Sequence, residues 1–113
     1  MWIAILNVNG AKQAKRQTFI SEFVTKQNID VACLQEVDSK KFKAPTGYQY
    51  VYGGLEPDVG FLLKESIQCD QGSMRFEDDG SICSLCCRSL AIVNVPLPSG
   101  TGNFTQRESA IRE

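Results

Sequence analysis

Two apolar runs of strand length, Trp2 to Val8 and Asp30 to Glu36 (DVACLQE), bracket a segment whose apolar residues recur at a different period. The first run is almost wholly aliphatic, as expected of a strand covered on both faces, and Asn7 breaks it only at its end. From Lys12 to Gln27, Phe19, Ile20, Phe23 and Val24 recur at spacings of three and four, which predicts a helix with one apolar stripe. Glu22 and Lys26 stand four apart away from that stripe, and Asn28 marks the stop. Strand, helix, strand in this order predicts a βαβ unit, whose crossover is nearly always right-handed and leaves both carboxyl ends on one side. One carboxylate, Glu36, and two amides, Asn7 and Asn9, then face a common crevice, where open α/β sheets bind their ligands.

Beyond Glu36 the period becomes that of short strands. Gly53-Gly54, Pro57-Asp58 and Gly72 punctuate the chain between Tyr48 to Tyr52, Val59 to Lys64 and a hairpin whose two-residue turn is Asp79-Gly80. That turn sets Met74 and Phe76 on one face with Cys83, Leu85 and Cys87, and turns Arg75, Glu77, Ser84 and Cys86 the other way. Leu90 to Val95 predicts a central strand, ended by Pro96 and Pro98, neither of which can donate to a ladder. Ser99 to Asn103 reads as a loop, and Phe104 to Glu113 as a helix just beginning.

Composition adds limits. With 113 residues, 42% of them hydrophobic, and a net charge of -1, the chain is one globular domain or part of one, with no bulk electrostatic affinity for nucleic acid. No apolar stretch approaches the eighteen or so residues needed to span a membrane, and the start lacks a secretory leader, so no membrane partner and an intracellular location are expected. Five cysteines, an odd number, agree with that. Cys83, Cys86 and Cys87 resemble half a zinc site, but the chain has no histidine, and only Cys33 and Cys69 remain to complete four ligands. Cysteines filling a core is the expected reading.

In order along the chain, Leu6-Asn7-Val8-Asn9-Gly10, Cys33-Leu34-Gln35-Glu36, Gly60-Phe61-Leu62-Leu63 and Val93-Asn94-Val95-Pro96-Leu97-Pro98-Ser99-Gly100 resemble successive blocks of the amino-terminal half of the endonuclease/exonuclease/phosphatase superfamily. Within it they look most like the apurinic-like endonuclease domain of non-LTR retrotransposons. The resemblance implies half of a four-layer, DNase I-like α/β sandwich with a mixed sheet, in residues 1–113, truncated before its second half. It implies a metal-dependent phosphodiester hydrolase acting on DNA, and a nuclear location. It makes Glu36 a ligand of Mg2+, or Mn2+, and Asn7 and Asn9 catalytic partners beside it, and gives Ser99 a hydroxyl as a substrate contact; Lys12 and Lys40 are substrate contacts on local charge alone. A hard cation that keeps its water and needs only one or two carboxylates suits this donor set.

The departures point the other way. Asn9 stands where many relatives have aspartate, and Pro96 where they have a tyrosine hydroxyl. The histidine that activates water in that family has no counterpart, because the chain contains none. The chain by itself is therefore expected to be inactive. A half-sandwich also leaves sheet surface open, so self-association is expected. Two other readings stay open: a non-catalytic remnant or interaction module, and another phosphatase or phosphodiesterase of the superfamily. Lys12, Lys15 and Arg16, and Lys40, Lys41 and Lys43 around Phe42, are the basic clusters available to DNA; exposed lysines are ordinarily only solvated.

Overall fold

The computed structural model of the chain describes residues 1–7, 14–38, 40–52, 59–77 and 82–95. In these segments β1 (Ile3–Asn7), α1 (Ala14–Lys26), β2 (Val31–Gln35), β3 (Tyr48–Tyr52), β4 (Val59–Lys64), β5 (Cys69–Glu77), β6 (Ile82–Cys87) and β7 (Leu90–Asn94) follow one another. They form a four-stranded sheet in the order β1-β2-β4-β3 and a three-stranded sheet in the order β5-β6-β7. β1 and β2 are parallel, with Asn7 opposite Gln35, and every other pairing is antiparallel. The βαβ start and the mixed sheet are as the sequence predicts.

Helix α1 ends as its last residues dictate. Asn28 adopts φ 53°, a left-handed conformation that asparagine tolerates better than most residues. The Ile29 N–H donates to the Val24 carbonyl at 2.9 Å and the Asn28 N–H to the Thr25 carbonyl at 3.3 Å, the paired bonds of a Schellman stop. Ile29 and Val24 are both buried, closing the hydrophobic contact that accompanies this motif. The Tyr48 hydroxyl lies 2.9 Å from the Val24 carbonyl and 2.6 Å from that of Ile29, so β3 also satisfies the end of the helix.

Two apolar cores result. Ile20 and Val24 of α1 pack with Ala32, Leu34, Leu62, Phe42 and Tyr48 on one face of the larger sheet. Between the sheets lie Val31, Cys33, Phe61 and Leu63 against Cys83, Leu85, Cys87 and Ile92. β7 lies against β2, and β6 against β4. Helix, sheet and sheet are thus three of the four layers of the expected sandwich.

Three expectations need correction. Among the described strands β1 is an edge strand, not one covered on both faces: Ala4 and Leu6 meet the helix-side core, while Ile3 and Ile5 stay exposed. Phe19 lies outside the inward stripe and is 63% exposed, stacked on Phe23 with ring centroids 6.3 Å apart. β7, expected to be central, pairs only with β6 among the described strands. Phe42, in the same segment as Lys40, Lys41 and Lys43, is buried, its ring centroid 4.9 Å from that of Tyr50.

The cysteines divide in a way their spacing did not reveal. Cys83 and Cys87 face the core and Cys86 is exposed, as the hairpin predicts, but Cys69 and Cys87 form a disulfide. They become directly opposed because residues 71–74 of β5 bulge opposite Leu85, shifting the register. Inside the bulge the Ser73 hydroxyl accepts the Cys86 N–H at 2.9 Å, replacing a lost ladder bond. Among the described residues no group of three His, Cys, Asp or Glu side chains is arranged to hold a metal ion, so the zinc reading has no support. The helix expected at Phe104 to Glu113 and the turn at Asp79-Gly80 lie outside the described residues. The pairing of Glu77 with Ile82 is the register such a turn demands.

Candidate active site

Parallel pairing carries β1 and β2 to a shared edge. Asn7 closes β1 opposite Gln35, and Glu36 is the next residue, so the amide and the carboxylate stand at neighbouring strand ends. β4 begins at the same edge, with Val59 opposite Gln35, and β7 ends there, since Asn94 bonds to Gln35. Asn7 and Glu36 are exposed. Among the sequence candidates these two are brought together; Lys40 is exposed in the segment that follows, and Asn9, Lys12, Ser99 and Pro96 lie outside the described residues.

The backbone at Glu36 is unusual. Its φ is 55°, and left-handed geometry costs a residue with a side chain about 1–2 kcal/mol. Among the described residues three other non-glycine residues share a positive φ, and each has a local reason. Asn28 ends the helix, while Arg88 and Ser89 are the two central residues of the β6–β7 hairpin, where a turn matched to strand twist requires it. Glu36 closes no helix and turns no hairpin. Strain of this kind gathers at functional positions and persists only where the surroundings hold it.

The residue before Glu36, Gln35, belongs to a buried amide pair that motif reading missed. Gln35 is 2% exposed and Asn94 1%. The Gln35 side-chain N–H2 donates to Asn94 Oδ1 at 3.0 Å and to the Val95 carbonyl at 2.6 Å. The Asn94 N–H2 donates to the Leu34 and Gly60 carbonyls, each at 3.1 Å. No buried polar side-chain atom among the described residues is left without a partner, so the cost of enclosing two amides is met. Both residues lay within the quoted blocks, and a polar residue inside an apolar run was the signal available.

For a hard cation, the described residues offer one exposed carboxylate with an amide oxygen at the adjoining strand end. That suits an ion held by one carboxylate, water and substrate phosphate, and does not suit an all-protein cage.

No family model matches the chain. A DNA-(apurinic or apyrimidinic site) endonuclease of Dictyostelium discoideum is 31% identical over 128 residues, an alignment covering all of this chain and 35% of that protein. An AP endonuclease of Archaeoglobus fulgidus superposes with a TM-score of 0.64 at 18% identity, covering 97% of this chain and 46% of the other. The chain thus spans less than half the length of both. These similarities support the DNase I-like superfamily and give the fold; they do not single out the retrotransposon branch.

Proposed function

We propose that this chain is part of a metal-dependent DNA endonuclease and carries one carboxylate of its metal site, Glu36. The observation that carries this reading is the meeting of Asn7 and Glu36 at the adjoining ends of two parallel strands. The likeness to an apurinic or apyrimidinic endonuclease supports it and favours abasic DNA as the substrate class of the full-length protein. Retroelement origin rests on the sequence blocks alone. The similarity covers only 35% of that relative, and we assign the rest of the site to residues outside this chain.

Magnesium, when bound, would polarise the phosphodiester and neutralise charge developing on it. The chain's own contribution is to present the Glu36 carboxylate to the cation and the Asn7 amide beside it as a hydrogen-bond partner for phosphate or water. Lys40 follows in an exposed position from which to meet a phosphate. A neutral imidazole able to take a proton from water near pH 7 is missing from the composition, so proton abstraction falls to a group supplied elsewhere. The exposed Trp2, Ile3 and Ile5 along the β1 edge favour self-association or a covering partner.

The test is a magnesium titration of the chain followed at backbone amides by NMR. Saturable shifts confined to Asn7, Glu36 and their neighbours, lost in Glu36→Gln, are expected. No site-specific change up to tens of millimolar magnesium would overturn the ligand role.

A further inference from the structure

Gln35 and Asn94 form a clasp whose place in the fold exceeds what packing needs. Two neutral amides between sheets contribute little net stability, since apolar residues of similar shape would fill the same space without desolvating polar groups. What the clasp adds is direction. It joins the last residue of β7 to the last residue of β2, and Asn94 also holds the backbone of both β2, at Leu34, and β4, at Gly60. Glu36 follows immediately in its left-handed conformation with no cap or hairpin to impose it.

We propose that Asn94 and Gln35 are positioning residues: by fixing the end of β2 from the opposite sheet, they hold Glu36 in the backbone conformation that presents its carboxylate at the shared edge. The inference rests on the reading of Glu36 as a metal ligand, and extends it to two side chains that do not touch the metal. Partners of this kind, which orient a ligand through hydrogen bonds, typically alter metal affinity by ~10–100-fold when removed. The clasp also makes the second sheet part of the site, because Asn94 and Val95 reach the carboxylate's strand from β7 and the residue just beyond it.

Two substitutions remove the clasp without opening a large cavity, Asn94→Leu and Gln35→Met. Each is examined for folding by circular dichroism, for the Glu36 backbone by its one-bond Cα–Hα coupling, which separates positive from negative φ, and for magnesium affinity at the Glu36 amide. Expected are a folded protein, loss of the positive-φ signature, and magnesium binding weakened by about tenfold or more. Glu36→Gln is expected to abolish binding while keeping the signature. A folded clasp variant with unchanged coupling and unchanged affinity overturns the proposal. Unfolding of both variants also counts against it, since the clasp would then be structural. Absence of magnesium binding in the unsubstituted chain overturns the ligand reading instead, and the coupling alone then decides whether the clasp sets Glu36.

Discussion

Gln35 and Asn94 lie 59 positions apart and bond at 3.0 Å across the interface between the two sheets. Their burial turns a polar contact into an obligation, because each uses both side-chain N–H groups and neither reaches water freely. Asn94→Ala removes the acceptor for Gln35 and leaves a void. It is expected to cost about 1–3 kcal/mol, read as a lower urea midpoint with an unchanged slope.

The helix stop gives a sharper local test. Asn28 stands at φ 53°, where alanine is strained and glycine is not. Asn28→Ala is expected to lower stability by about 1 kcal/mol in thermal unfolding, and Asn28→Gly to lie within about 0.5 kcal/mol of the parent. Equal losses would implicate the bond from the Lys64 ammonium to the Asn28 side-chain Oδ1 in place of the backbone.

Thiol reactivity separates the cysteines by environment. Cys33 and Cys83 are buried thiols, Cys86 is exposed, and Cys69 is bonded to Cys87. A thiol reagent is expected to modify one group in the native protein, three after denaturation without reductant, and five after reduction. Five equivalents in denaturant without reductant would show that Cys69 and Cys87 are not joined.

Alkaline pH is expected to weaken the fold through the same thiols. Burial, and then the neighbouring Cys83, push Cys33 up to about 12, and burial pushes Cys83 up to about 11, from an ordinary 9.0. Above pH 9 the unfolded chain releases these protons first, so stability is complete below that pH. It falls by roughly 1.4 kcal/mol per pH unit for each thiol, from about 9 up to about 12 for Cys33 and only up to about 11 for Cys83. Urea midpoints from pH 8 to 11 are expected to decline less steeply in Cys33→Ala than in the parent; parallel slopes would remove Cys33 from the account.

Much of this fold was readable because local pattern and global arrangement agree. The spacing of Ile20 and Val24, the stop at Asn28 and the apolar run of β2 specify the parallel pair, and with it the meeting of Asn7 and Glu36. Other features depend on what only assembly decides. An aliphatic run looks alike whether one face or both are covered, so β1 was not distinguishable from a central strand. The Arg88-Ser89 turn lacks the glycine or asparagine that usually announces positive φ. The disulfide depends on a bulge at residues 71–74 that changes which residue opposes Cys69. The clasp was hidden for a similar reason, since nothing in the local sequence around Asn94 says which strand of the other sheet it will meet.

Catalysis by the chain alone is expected to be absent. Supercoiled plasmid and an abasic-site duplex, incubated with magnesium, should show no nicking above a Glu36→Gln control. Nicking that disappears in that control would mean that the chain holds a complete site without a histidine.

The most direct test of the shared edge uses manganese as a paramagnetic probe in place of magnesium. At substoichiometric manganese, amide signals of Asn7, Gln35 and Glu36 are expected to broaden first and together, to recover on adding excess magnesium, and to stay sharp in Glu36→Gln. Broadening centred on any other part of the molecule, or spread evenly over its acidic residues, would contradict a cation site at the adjoining ends of β1 and β2.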